Sequence, residues 1–155
     1  MTPLLASVAG LLVVAGALKL RAREWLGAPE AALGLAAFAY PRPLVCALVA
    51  VAYAGFTADS LRRAVARDSE DCGCFGDVEA HAGFGHVALN FGCAVVAAVG
   101  VVVAPPSLAS LVADSPALGV VLIAGVAASV YGLFLAYTAL PTAWSSYQAG
   151  SLRET

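Results

Sequence analysis

Five apolar stretches, separated by polar intervals, make up most of this chain. They cover residues 3–20, 25–40, 44–66, 86–104 and 117–140. A helix that crosses the hydrocarbon core of a bilayer needs about 20 apolar residues. Prolines stand in several of the intervals, where they disfavour helix at the preceding residue. The pattern therefore predicts five transmembrane helices and a longer polar loop over residues 67–85.

The second stretch, 25–40, is the shortest and carries an acidic residue, Glu30. Trp25 and Tyr40 stand at its two ends, where aromatic side chains anchor helices at the membrane–water interface. This placement favours a short span over a re-entrant segment. A charged side chain inside a span is costly and marks a functional candidate, unless it lies close enough to the interface to be hydrated. Lys19, at the end of the first stretch, is the candidate partner of Glu30.

The composition agrees with a membrane protein. The chain has 155 residues, of which 61% are hydrophobic and 12% are charged, whereas about 25% are charged in an average soluble domain. We therefore expect one all-α integral membrane domain over residues 1–155, in contact with the lipid bilayer and retaining its first helix instead of losing it as a signal peptide. The net charge is only −2 and no basic cluster is present, which argues against nucleic-acid binding.

The polar interval 67–85 contains two cysteines, Cys72 and Cys74, separated by Gly73. Two thiols at this spacing can form a disulfide with each other, transfer it to a partner protein, or share a soft metal ion. Gly73 removes the side chain that would hinder closure of so small a ring. Strained and exposed disulfides are the exchangeable ones. The spacing therefore favours thiol–disulfide exchange by Cys72 and Cys74.

Two other roles for this pair stay open. Two thiolates bind a soft ion such as Cu(I) or Hg(II) well, and His81 and His86 could add two ligands to Cys72 and Cys74. The spacing of the histidines does not match a structural zinc pattern. The pair could also be structural, within a non-catalytic membrane assembly factor whose loop docks a partner.

The remaining candidates lie in the helices that flank this interval. Cys46 and Cys93 lie in apolar stretches, where free cysteine behaves as a small hydrophobe; Cys93 is also placed to relay electrons from the loop pair. The carboxylates of the loop disfavour thiolates unless Arg62, Arg63 or a helix N-terminus comes close. Activation of the thiols therefore depends on the fold.

The basic residues are distributed unevenly between the two sides of the predicted membrane protein. With five alternating spans, the first loop, the cysteine loop and the C-terminal tail share one side. Seven of the eight basic residues fall there: Lys19, Arg21, Arg23, Arg62, Arg63, Arg67 and Arg153. Only Arg42 falls on the other side. The positive-inside rule therefore predicts a cytoplasmic cysteine loop in a multi-pass protein of the cell membrane.

Several motifs resemble the MauE branch of the MauE/DoxX membrane family. They are residues 15–20, Pro29-Glu30 with Gly34 four residues on, and above all Cys72-Gly73-Cys74-Phe75-Gly76 followed by Asn90 on the next helix. The similarity covers roughly residues 10–104. It implies a redox-associated helical bundle with a four-helix core, to which the stretch 117–140 adds a fifth transmembrane helix.

The resemblance also implies partners and roles. Cys72 and Cys74 would exchange disulfides with a thioredoxin-like protein or a disulfide-containing client whose maturation they assist, as in a thiol–disulfide oxidoreductase. No definite cofactor is implied; a quinone and a soft metal ion are the candidates. The supporting residues would be Phe75 and Gly76, which shape the turn, and the polar positions Lys19, Glu30 and Asn90.

The chain departs from the family pattern in two places. Leu89 stands where the family often has an arginine, which removes a charge that could stabilise a thiolate, and the connection between the first two helices is shortened. The maturation of exported proteins would place the cysteines outside the cytoplasm. The charge distribution predicts the opposite side.

Overall fold

The computed structural model describes residues 1–66 and 84–139. Within them it contains six helices and no strand: α1 (Thr2–Arg21), α2 (Gly27–Ala39), α3 (Pro43–Ala66), α4 (Phe84–Val103), α5 (Leu108–Asp114) and α6 (Pro116–Thr138). The all-α helical bundle is confirmed. Four of the described helices, α1, α3, α4 and α6, are long and apolar enough to cross a membrane. The chain is therefore a multi-pass membrane protein.

The predicted span 25–40 is a shorter helix than expected. α2 has 13 residues and so rises about 20 Å, less than the roughly 30 Å of the hydrocarbon core. Its start is delayed by a tight turn after α1, in which Arg23 has φ 63°. The amide of Glu24 donates to the carbonyl oxygen of Lys19 at 2.8 Å, and that of Arg23 donates to Leu20 at 3.0 Å. This is a Schellman turn, which ends a helix by bonding its last carbonyl groups.

Two further features differ in detail from the predicted spans. α4 begins at Phe84, so the last two residues of the predicted loop 67–85 are helical. The interval before the last span contains a short helix, α5, whose first turn is capped by Ser107: its Oγ accepts a hydrogen bond from the amide of Ser110 at 3.1 Å. A serine in this position satisfies a backbone donor that the first turn leaves unpaired.

α1 and α2 are packed antiparallel, with glycines where their backbones meet. A methyl group added at Gly16 would lie 2.6 Å from the carbonyl oxygen of Gly27, and one added at Gly34 would lie 2.7 Å from that of Ala9. In lipid, small residues allow this approach and dispersion contacts then hold the helices together. α2 thereby returns the chain to the end of the bundle where α1 begins. We call this end, which includes residues 40–43 and 104–107, the Arg42 end.

α3 and α4 form a second antiparallel pair beside α1. Near the Arg42 end, a methyl group added at Gly100 of α4 would lie 3.3 Å from Sγ of Cys46 on α3. At the opposite end, Asn90 of α4 donates a hydrogen bond to Ser60 of α3. We call this opposite end, where α1 also finishes, the Lys19 end. The described helices that flank residues 67–83 therefore meet those residues at the Lys19 end.

α1 is the central helix of the bundle. Most of its length is buried inside the protein, whereas α6 is largely exposed and packs against α1 and α5. Tyr53 of α3 donates a hydrogen bond to the backbone oxygen of Val8 at 2.8 Å, which ties α3 to the middle of α1. Many large apolar side chains, among them Leu44, Val102 and Val120, face outward, as expected where lipid is the solvent.

We predict that Gly16→Ala lowers the melting temperature in detergent, measured by far-ultraviolet circular dichroism. The added methyl group would force α1 and α2 apart, at a cost of about 1–3 kcal/mol. Gly92→Ala is the matched control, because a methyl group at Gly92 meets no atom within 4 Å and alanine favours helix over glycine. Equal melting temperatures for the two variants would contradict this account of the α1–α2 contact.

Candidate functional site

Lys19 and Glu30 form an ion pair inside the Lys19 end of the bundle. Nζ of Lys19 lies 2.6 Å from Oε1 of Glu30, and the two side chains are only 9% and 14% exposed. The predicted partnership is confirmed, and Glu30 is held within the protein instead of being hydrated at the interface. The contact follows from the α1–α2 packing, because Gly27 lies against α1 beside Lys19. A charged group at this depth is stable only when it is paired.

Asn90 connects three helices next to this pair. Its Nδ2 donates to Oγ of Ser60 on α3 at 3.1 Å, and its Oδ1 accepts a hydrogen bond from the hydroxyl of Tyr137 on α6 at 2.8 Å. All three side chains belong to buried residues. Because buried polar groups are costly when unpaired, this chain of hydrogen bonds fixes how α3, α4 and α6 meet.

A small cavity brings the two polar groups together. Lys19, Asn90, Tyr53 and Tyr137 line it with apolar residues, and its volume is about 20 Å³. A volume of roughly 10–15 Å³ is enough for one water molecule with polar partners. The ring of Phe56 closes one side, with Nζ of Lys19 5.4 Å from the ring centroid, a cation–π distance. The predicted supporting positions Lys19, Glu30 and Asn90 therefore converge on one buried polar cluster.

His86 adds an unpaired imidazole at this end. The residue is 1% exposed and its ring packs edge-to-face on Tyr137, with the centroids 5.3 Å apart. Neither ring nitrogen has a hydrogen-bond partner among the described residues, and the same holds for Oε2 of Glu30. Buried polar atoms without a protein partner are rare, and most are satisfied by a bound water molecule or another group.

Cys93 and Cys46 are both buried free thiols. The thiol of Cys93 lies within hydrogen-bonding reach of the hydroxyls of Tyr53 and Tyr137, so it borders the polar cluster. Cys46 lies near the Arg42 end, where its thiol donates to the carbonyl oxygen of Pro41 at 3.6 Å. Cys46 therefore stands at the far end of α3 from the cysteine interval.

Arg62 and Arg63 already have a carboxylate partner on their own helix. Both contact Asp59, at 3.1 Å and 2.8 Å, and the Arg62 side chain is 74% exposed. An exposed pair of this kind is worth little to stability. The Arg62 side chain lies at the surface of the Lys19 end, whereas that of Arg63 is half-buried, with 22% of it exposed.

Several predicted site residues lie outside the described residues. They are Cys72, Gly73, Cys74, Phe75, Gly76 and His81. The proposed metal ligand set depends on three of them. Within residues 1–66 and 84–139, no three His, Cys, Asp or Glu side chains are grouped to hold a metal ion.

The sequence alone does not identify three residues of the polar cluster. Ser60, Tyr53 and Tyr137 stand in apolar helices, and nothing local distinguishes them from other helical polar residues. The buried face of α4 does carry a signal: its buried residues His86, Asn90, Cys93, Ala97 and Gly100 repeat at helical spacing. That spacing identifies one polar face of α4, but not the tyrosines and serine that meet it.

Comparison with protein-family models, with curated proteins and with solved structures finds no match to this chain. The resemblance to the MauE branch therefore stays an expectation that depends on the motif residues themselves.

We predict that Lys19→Met and Glu30→Leu each destabilise the protein by about 3–5 kcal/mol, because each leaves a buried charge without its partner. The double variant should recover most of this loss, since two apolar side chains replace the pair. Thermal unfolding of the four proteins in detergent measures the coupling. Arg62→Met is the control and should change stability by less than about 1 kcal/mol. Additive losses in the double variant would show that the two side chains do not act as a pair.

Proposed function

We propose that this chain is a membrane thiol–disulfide exchange protein, in which Cys72 and Cys74 form and transfer a disulfide. One structural observation supports the proposal in addition to the Cys72–Cys74 motif. The three polar positions that the resemblance attaches to the cysteine pair, Lys19, Glu30 and Asn90, converge at the end of the bundle where α3 and α4 flank residues 67–83. Supporting residues scattered through the bundle would have argued against it.

The exchange needs two thiols and a disulfide-bearing partner. The thiolate of one cysteine attacks a sulfur of the partner's disulfide, forms a mixed disulfide and releases the partner's other sulfur as a thiolate, which takes up a proton. The second cysteine then attacks the mixed disulfide. This closes the Cys72–Cys74 disulfide and leaves the partner as a dithiol, so two electrons pass to the partner. Run in reverse, the same steps deliver a disulfide to a client.

The scaffold contributes rigidity to this chemistry. The Lys19–Glu30 pair joins α1 to α2, and the Ser60–Asn90–Tyr137 hydrogen bonds join α3, α4 and α6. These contacts hold the two helices that flank the cysteine interval in a fixed relation. A reactive segment anchored on rigid elements reaches a partner without loss of its own geometry.

We predict that Cys72→Ser or Cys74→Ser traps a mixed disulfide with a purified thioredoxin whose resolving cysteine is replaced by serine and whose remaining cysteine is first converted to its mixed disulfide with thionitrobenzoate. The remaining cysteine of the variant attacks the thioredoxin sulfur and releases thionitrobenzoate as the leaving thiolate, and no second thiol resolves the product. Non-reducing electrophoresis should show the adduct with at least one single variant and none with the double variant. Cys46→Ser and Cys93→Ser are the controls and should leave trapping unchanged.

The metal-binding alternative has one observation on its side, the unpaired ring nitrogens of buried His86. It predicts a different outcome of the same experiment. Exchange would be replaced by metal binding if neither single variant formed an adduct, the unaltered protein formed no internal disulfide, and the protein bound Cu(I) or Hg(II) tightly with loss of that binding on Cys72→Ser.

We further propose that the Lys19 end faces the cytoplasm. Five basic side chains of the described residues lie at this end: Lys19, Arg21, Arg23, Arg62 and Arg63. At the Arg42 end, Arg42 is the one basic side chain of the described residues, and α2 returns the chain to that end whether or not it crosses the whole membrane. The positive-inside rule then places the cysteines inside.

A membrane-impermeant maleimide tests this orientation in intact cells. We expect Cys72 and Cys74 to be labelled only after lysis and reduction. A variant without Cys46 and Cys93 restricts the signal to the pair. Labelling of intact cells after reduction would contradict the cytoplasmic placement and would support a role in maturing exported proteins.

A further inference from the structure

A shallow depression that contains an arginine lies on the surface of the Arg42 end. It is lined by the α2–α3 connection and the chain before α5, including Tyr40, Arg42 and Ser107, and its volume is about 350 Å³. Arg42 is exposed and forms no salt bridge with a described residue. Exposed tyrosine and arginine side chains at the end of membrane helices lie at headgroup depth.

An apolar groove leads away from this depression. Its first part, about 700 Å³, lies between α2, α5 and the start of α6, and it shares Ala39 with the depression. Its second part, about 520 Å³, continues between α1 and α6 and shares Phe38, Leu108 and Ile123 with the first. The shared residues make one continuous surface, with Arg42 at one end and apolar side chains along the rest.

The depth of the groove corresponds to one leaflet. Along α6 its lining runs from Ile123 to Phe134, which is about 16 Å at the rise of an α-helix. The hydrocarbon core of a bilayer is about 30 Å thick. A molecule with its polar part at Arg42 and its apolar part in the groove would therefore occupy half of the membrane, as a phospholipid does.

The charges at this end favour an anionic headgroup. Arg42 is the one basic side chain described there, and a guanidinium binds phosphate oxygens through a planar fork of donors. The acidic side chain described at this end, Asp114, closes α5 at its far end. Asp114 is seven residues, or about 10 Å of helix, from Ser107. It therefore lies away from the depression and does not neutralise the charge of Arg42.

We infer that this chain binds one anionic phospholipid of the leaflet at the Arg42 end. Its phosphate contacts Arg42 and Tyr40, and an acyl chain lies in the groove between α2, α5 and α6. The site is at the opposite end of the bundle from the polar cluster and does not depend on the function proposed for the cysteines.

Native mass spectrometry of the detergent-purified protein tests the inference, with phosphatidylglycerol and phosphatidylcholine of identical chains as probes. We expect phosphatidylglycerol to bind roughly fivefold more tightly than phosphatidylcholine, because one interfacial basic residue contributes about that factor to the binding of an anionic lipid. Arg42→Gln should abolish this preference, whereas Arg62→Gln at the other end should keep it. Inorganic phosphate should not compete, because it lacks the chain that the groove buries.

A second pair of variants tests the groove. Ala127 lines it and the neighbouring Ala128, which is exposed, does not. Ala127→Trp should weaken the binding of both lipids and Ala128→Trp should leave both unchanged. Equal binding of the two lipids by the unaltered protein, or a preference that survives Arg42→Gln, would overturn the inference. Melting temperatures close to that of the parent confirm that the variants are folded.

Discussion

The glycine contact between α1 and α2 is the constraint on which the rest of the structure depends. Lipid provides no hydrophobic force between helices, so two apolar helices stay together only where their backbones come close or polar groups bond across them. Gly16 and Gly27 supply the first condition, and the Lys19–Glu30 pair supplies the second. The two reinforce each other, because close backbones bring the short Glu30 side chain within reach of Lys19.

The bundle is chemically different at its two ends. The Lys19 end encloses buried polar groups in a low-dielectric interior, where each hydrogen bond is strong and each unpaired atom is costly. The Arg42 end carries its polar groups on the surface and continues into an apolar groove. The two proposed roles, disulfide exchange with a partner and lipid binding, therefore belong to opposite ends of the bundle.

Three basic side chains described at the Lys19 end contact carboxylates. Arg62 and Arg63 contact Asp59 on the same helix, and Lys19 contacts Glu30. The backbone amides at the start of α4 add partial positive charge at this end. Among the described residues, His86 is the buried basic group nearest in sequence to the cysteines, and neither of its ring nitrogens has a described partner.

The sequence by itself determined the all-α membrane class and four long helices, because a run of about 20 apolar residues has few other stable states in a bilayer. It also singled out Glu30 and its candidate partner Lys19, since a charged residue inside an apolar span is conspicuous, and the family resemblance added Asn90. Only the tertiary structure decided that these three converge, that Ser60 and Tyr137 complete their hydrogen bonds, and that α2 is short. Those outcomes depend on contacts between residues far apart in the chain and on one left-handed turn at Arg23, and neither leaves a periodic pattern.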